Sequence, residues 1–409
     1  MKIRNKYVKV FIYTLSTLVF FLPQLSTFYY VYFLDAFGLT NAQAGTLLSV
    51  FGMTSIPAYL FGGYVADKFQ AKKLVLIACF ATGCLGIALT FVTQYYILLA
   101  IYVCFGITTT FLQWSAMCKI IRSMGNETEQ GKLFGTMEMS NSIIGVIVLY
   151  GILALLGKLL EVTGFKIVTS VFGVLIIISG LLIAYLCDDP SLGIKDNDFD
   201  FKAVGRVLKH PVVWLNGFLV MGVYTLSTAS TYLSPYLSEV VGISVTVAVA
   251  FQIAVMDVLS IFVSPLGGIA IDKFHTPPVA ITTAATCILM FITILILGPG
   301  ATTWLIMGVV IILYISLNLL RPCMYTPVPE GGVPVEITGT AVGIVSAIGY
   351  STDTWLYTLC GSWLDKYGDA GYNRIWCLII AGLVMAIIAI SLFQIYKNKH
   401  KAEIEEASV

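Results

Sequence analysis

Gly62-Gly63-Tyr64-Val65-Ala66-Asp67-Lys68-Phe69 returns later in the chain as Gly267-Gly268-Ile269-Ala270-Ile271-Asp272-Lys273-Phe274. Asp67 and Asp272 stand 205 positions apart, half the length of the 409-residue chain. Each copy closes one long apolar run and precedes another. Two halves that carry the same charged hinge at the same place form a duplicated design, a pattern found in membrane proteins built from internal repeats.

Composition agrees with a chain that lives in lipid. Apolar residues make up 58% and charged residues 11%, against about 45–50% and about 25% in a soluble domain. Lys2, Arg4, Lys6 and Lys9 precede an apolar run that continues to about Tyr32. That run is too long for a cleaved signal and long enough to span a bilayer. The nine cysteines lie mostly within apolar runs and show no zinc or disulfide spacing, so they read as small buried hydrophobes. No basic cluster with interleaved aromatics speaks for nucleic acid. Neither a cofactor nor a metal is expected.

Twelve stretches of roughly 20 apolar residues run near 9–33, 42–65, 73–93, 97–120, 133–157, 166–187, 211–236, 243–265, 277–298, 302–322, 338–360 and 374–396. They predict an all-α membrane protein of twelve transmembrane helices in two pseudo-symmetric six-helix bundles, 1–187 and 211–396. The bundles flank a polar cytoplasmic linker, 188–210, and a cytoplasmic tail follows, 397–409. With the N-terminus inside and twelve crossings, 19 of the 23 basic residues fall on inner segments and 4 on outer ones. This bias sets both termini in the cytoplasm. Gly131-x3-Gly135 and Gly339-x3-Gly343 have the spacing that lets helices approach closely in lipid.

Gly63, Asp67 and Lys68, followed by the basic pair Lys72-Lys73, resemble the helix 2–3 signature of the major facilitator superfamily of secondary transporters. The sequence departs from it at Gln70, where the family has glycine, and at Ala71, where it is basic; the change at Gln70 predicts an atypical turn. Glu330-Gly331-Gly332-Val333-Pro334, Thr338-Gly339-Thr340-Ala341-Val342-Gly343 and Gly349-Tyr350-Ser351-Thr352-Asp353 look like a poorly characterised bacterial subgroup, loosely near the organic-anion and sugar-phosphate branches. The resemblance implies a cytoplasmic latch. In it Asp67 faces the helix start at Thr338-Gly339 and Asp272 faces Gly131, each carboxylate meeting a positive helix end. Gly63, Asp67, Lys68, Gly268, Asp272 and Lys273 are its gating residues; the plainer alternative is a pair of solvated loop charges.

Ionisable residues within spans cost roughly 2.5–3.5 kcal/mol each on insertion scales, so each one is a functional candidate. They are Lys119, Arg122, Glu138, Asp257, Arg321 and Asp353. None falls in the third, sixth, ninth or twelfth span, the four that the resemblance places outermost. Arg321 is the candidate for an anionic group, with Gln24, Trp114, Tyr224, Asn318 and Tyr350 as further substrate-binding residues. Asp257 and Asp353 are the candidates for a coupling proton. Lys119, Arg122 and Glu138 form a gating bridge, or the two cations anchor the inner end of their helix. Trp114 and Tyr350 either stack on a solute or fill the bundle, and Asp257 and Asp353 either carry protons or bond to neighbouring hydroxyls.

A secondary active transporter follows, moving a small polar or anionic organic solute across the cytoplasmic membrane by alternating access, coupled to protons or to exchange. It is expected to act as a monomer in the lipid bilayer. An enzyme is disfavoured because His210, His275 and His400, the only histidines, lie at helix ends or in the tail. No phosphate-binding loop points to ATP. A solute sensor and an exporter of amphipathic compounds remain the alternatives.

Overall fold

The computed structural model describes residues 3–125, 129–156, 162–191, 201–298, 300, 302–324, 326–333 and 335–402. The side chains of 59–60, 62–64, 66–67, 130–131, 162–163, 201–203 and 335–339 lie outside that description. The side chains of Gly63, Asp67, Gly131, Thr338 and Gly339, and the linker stretch 192–200, therefore fall outside the described residues.

Among the described residues the chain is helical. Ten helices are long and apolar enough to cross a membrane: α1 (Lys6–Phe28), α3 (Ala71–Leu89), α4 (Tyr95–Arg122), α5 (Lys132–Leu156), α6 (Gly164–Leu186), α7 (Pro211–Val240), α8 (Val245–Phe274), α9 (Thr276–Leu297), α10 (Thr303–Met324) and α12 (Ala370–Lys399). Two more complete the twelve. These are α2 (Asn41–Lys68) and α11, which runs over Val335–Gly349, tightens over Tyr350–Thr354, breaks at Trp355 and resumes over Leu356–Tyr367. The fold is an all-α membrane fold of two six-helix bundles. The chain forms two compact units, Met1–Phe199 and Asp200–Val409. Beside the bundles, Phe201–Leu208 forms a short helix whose last carbonyl accepts the Trp214 indole N–H at 2.8 Å.

In the first unit α3 and α6 touch backbone to backbone. A Cβ on Gly83 would lie 2.7 Å from the Gly173 carbonyl, and one on Gly173 would lie 2.5 Å from the Gly83 carbonyl. In the second unit α7 and α12 meet in the same way, a Cβ on Gly222 falling 2.2 Å from the Gly382 carbonyl. These are the close approaches that small residues permit in lipid. Gly135 corrects the expectation drawn from its GxxxG spacing, since a Cβ there would meet open space. Gly222→Leu is expected to lower the thermal midpoint of the purified protein. The cost is about 2 kcal/mol or more, because the obstruction is backbone and cannot rotate away; an unchanged midpoint would show that α7 and α12 can part there without penalty.

Four of the helices without interior charges, α3, α6, α9 and α12, display apolar side chains outward. Ile77 and Phe80 on α3, Val174 and Ile178 on α6, Leu289 and Ile296 on α9, and Ile388 and Ile395 on α12 are all exposed. Outside a membrane this would be an extensive sticky surface; in lipid it costs nothing.

Side-chain bonds tie helix ends together within each unit. In the first, Lys6 pairs with Glu129, and Lys9 with Asp188, whose carbonyl also accepts the Tyr13 hydroxyl at 2.7 Å. Lys72, at the start of α3, donates to the carbonyls of Cys187 (2.6 Å) and Ala184 (3.0 Å). A lysine on the terminal carbonyls satisfies groups that the helix leaves open and complements the dipole. The same corner buries the Cys187 thiol, which desolvation pushes up to about 11 despite the nearby Lys72. In the second unit Glu330 accepts from Lys397 at 2.7 Å and from the Thr276 hydroxyl, which also bonds Thr326 at 2.7 Å. The loop preceding α11 is thus fastened to α9 and α12.

The turn expected to be atypical is ordinary. Gln70 sits at φ −65°, ψ 113°, which any residue adopts. The unusual backbone lies at the repeat position, His275, with φ 66° and ψ 162°. This is a region that only glycine enters freely, at a cost of order 1–3 kcal/mol for other residues. Removing that side chain should therefore stabilise the protein. His275→Gly is expected to raise the thermal midpoint, and a lowered one would mean that the imidazole makes a compensating contact.

Candidate functional site

Three groups of polar side chains lie within the two units, each positioned by a local departure from regular α-helix. The first joins α7 to α11. Over Tyr350–Thr354 the turn tightens to three residues, so Tyr350 and Asp353 eclipse each other on one face. The Asp353 carboxylate accepts the Thr228 hydroxyl at 2.9 Å and the Tyr224 hydroxyl at 3.2 Å. The Tyr224 and Tyr350 rings lie 4.5 Å apart between centroids, tilted by 55°. Tyr357, one turn beyond Asp353, shares hydrogen bonds with Thr228 and Thr231 and lies within electrostatic reach of the carboxylate. Its carbonyl accepts the Tyr232 hydroxyl at 2.9 Å. Three sequence candidates, Tyr224, Tyr350 and Asp353, are thus brought together. Tyr357 was missed, although its i+4 spacing from Asp353 could have found it.

The second group joins α8 to α10. A widened π-helical turn, Ala254–Val258, carries Asp257, and such turns recur at functional sites. Across from it, Tyr314, Asn318 and Arg321 share one face of α10. Tyr314 donates to Ser230 at 2.7 Å, and the Asn318 amide donates to the Val255 carbonyl at 3.4 Å. Arg321 lies within electrostatic reach of Asp257 and of Tyr314. Among the described residues, however, its guanidinium has no ion-pair or hydrogen-bond partner. Among the described residues Asp257 Oδ2 and Asn318 Oδ1 are enclosed and have no donor.

The third group, in the first unit, is more apolar. Another π-helical stretch, Ile107–Trp114, turns the middle of α4. It directs Gln113 inward, where its amide donates to Ser16 at 2.8 Å and its Oε1 is left without a donor. Trp114, half-buried, meets Phe20 edge-on at 6.0 Å and packs against the cluster of Val10, Met117, Ile121, Leu133 and Met137. Gln24 is exposed, one residue after Pro23. Tyr29, just past α1, departs from helical geometry, and within α1 the irregular backbone lies at Leu15–Thr17. There the hydroxyls of Ser16 and Thr17 bond the carbonyls three residues back and tighten the turn.

Of the gating candidates, Lys119 is half-buried and Arg122 exposed on the last turns of α4. Glu138 is exposed on α5 and close enough to Cys118 to act on it electrostatically. Lys68, Asp272 and Lys273 are exposed, Lys273 lying 5.1 Å over the Phe274 ring. Gly268 faces open space, whereas its neighbour Gly267 packs on α10, a Cβ there falling 2.8 Å from the Leu319 carbonyl. Among the described residues no group of three or more His, Cys, Asp or Glu could hold a metal.

The sequence model described as Major Facilitator Superfamily matches residues 10–352. The inner membrane protein YqcE of Escherichia coli (strain K12) is 29% identical over 370 residues, covering 86% of this chain and 85% of that protein. The inner membrane protein YihN of the same strain is 27% identical over 393 residues, 91% and 92% of the two chains. Among solved structures, a bacterial homologue of the human lysosomal transporter Spinster, inward-facing and unoccupied, superposes with a TM-score of 0.71 at 18% identity. The match covers 96% of each chain.

Proposed function

The chain belongs to the major facilitator superfamily, and from that premise we propose that it carries a small polar or anionic organic solute across the cytoplasmic membrane as a secondary active transporter. It is a multi-pass membrane transporter rather than an enzyme. In this proposal it works as a monomer with both termini cytoplasmic, its bundles 1–187 and 211–396 joined by the linker 188–210 and rocking in alternating access. Residues 397–409 form the tail.

The observation that supports an anionic solute is Arg321. A guanidinium within a span and without a partner is expensive to keep. An incoming carboxylate or phosphate meets its planar fork with two parallel charge-assisted bonds. Tyr224 and Tyr350, ring against ring, offer the apolar faces of a solute a wall, with Asp353 behind them. Asp257 and Asp353 are the carboxylates proposed to carry a coupling proton. The test is uptake by proteoliposomes loaded with purified protein. A radiolabelled organic anion should enter faster than into empty liposomes, and an imposed pH gradient or an internal load of the same anion should drive it further. Equal entry with and without protein for every anion tried would overturn the proposal.

A further inference from the structure

The α8–α10 group presents an uneven set of hydrogen-bonding groups. Among the described residues its donor fork, Arg321, lacks an acceptor, and two acceptors, Asp257 Oδ2 and Asn318 Oδ1, lack donors. They are near neighbours. The Asn318 amide holds the carbonyl of Val255, two residues before Asp257, and Arg321 follows Asn318 by one helical turn. Asn318 is fully buried, so water outside the bundle does not serve its oxygen. A buried acceptor left without a donor is destabilising, and native interiors keep few of them. Arg321 does not close the set itself, since it stays outside ion-pair distance of Asp257.

We propose that this group recognises a polyhydroxylated carboxylate, a sugar-acid-like solute whose carboxylate sits on Arg321 and whose hydroxyls donate to Asp257 and Asn318. The assignment rests on Arg321 being the anion site and adds the hydroxyls. A plain carboxylic acid satisfies the fork and leaves both acceptors empty. A neutral sugar satisfies the acceptors and leaves the guanidinium bare. An α-amino acid bears its ammonium beside its carboxylate, within reach of one acceptor. The two acceptors project from different helices and call for donors on different carbons, which a polyhydroxy acid has. Tyr314, already bonded to Ser230, closes the side of the group toward the outer end of α10.

The experiment measures thermal stabilisation of the full-length purified protein, since any solute that binds the folded state raises its midpoint by mass action. The probes are D-gluconate, D-glycerate, hexanoate, propionate, L-alanine and D-glucitol. Gluconate or glycerate should bind roughly 10-fold or more tightly than the deoxygenated acid of equal length, because missing hydroxyls strand the buried acceptors. Asp257→Ala and Asn318→Ala should each bring the hydroxy acid and the plain acid toward equal affinity while anion binding persists. Arg321→Gln should remove binding of both. Equal stabilisation by hydroxy and plain acids, or a preference for L-alanine, would overturn the substrate class and leave the anion site standing. Stabilisation by D-glucitol alone, or anion binding that survives Arg321→Gln, would overturn the anion site itself. The preference is read first on the unaltered protein, so it holds or fails even if a variant does not fold.

Discussion

Arg321→Gln should abolish uptake of an anionic solute while the protein still inserts and purifies normally. Losing a charge-assisted, bidentate contact to a desolvated anion costs about 2–5 kcal/mol, which corresponds to an affinity loss of roughly 30-fold or more. Insertion should not suffer, because a neutral amide within a span is cheaper than a guanidinium. Arg321 also lies free of ion pairs among the described residues, so its removal strands no buried carboxylate at bonding distance. Arg321→Lys should fall between the two, keeping the charge and losing the planar fork. The measurements are initial uptake in proteoliposomes and the monodispersity of the purified variant. Full uptake by Arg321→Gln would exclude this residue as the anion site.

Asp353→Asn should separate accumulation from exchange. The variant is expected to lose uptake driven by an imposed pH gradient yet to keep counterflow, in which internal unlabelled solute exchanges for external label. Asparagine retains an oxygen that can accept from Thr228 at the 2.9 Å position, so the link between α7 and α11 is largely preserved. What it cannot do is gain and lose a proton. The choice of Asp353 has a physical basis. It places a carboxyl group inside a span, and among the described residues its bonding partners are two neutral hydroxyls, with no cation beside it. Gradient-driven accumulation equal to that of the unaltered protein would remove Asp353 from the coupling step, leaving Asp257→Asn as the next variant to test.

Much of this architecture is legible in the sequence because lipid imposes simple rules. A span needs about 20 apolar residues, so the runs around the two Gly-Gly…Asp-Lys-Phe copies give helix number and order directly. The absence of interior charge on α3, α6, α9 and α12 agrees with their exposed apolar faces. Regular 3.6-residue periodicity also pairs Tyr314 and Asn318 correctly, since α10 is regular through Leu320, and Arg321 follows at the start of a tighter turn, Arg321–Met324.

The rest depends on departures from that period. The break at Trp355 and the tight turn before it decide that Asp353 meets Tyr224 and Thr228; an unbroken helix would point these groups differently. The widened turn at Ala254–Val258 offsets Asp257 in the same way. Such turns carry no strong compositional mark, so spacing alone places the residues on a face without fixing which neighbour they meet. Lys72 and Glu330 illustrate a second difficulty. Each reads as an ordinary loop charge until the fold brings the carbonyls of α6, or Lys397, within reach. Gln70 and His275 show a third, for the residue that departs from the family signature has ordinary backbone while its repeat counterpart bears the strain.

The bonds that fasten these helix ends have a consequence for biogenesis. In the first unit the bonded residues named above, from Lys6 to Asp188, precede residue 200. In the second, Thr276, Glu330 and Lys397 all follow it. The amino-terminal half can therefore form this set of bonds while the remainder is still on the ribosome. A gene split within the linker should accordingly yield two polypeptides that each insert and persist, to be rejoined in the bilayer rather than during translation.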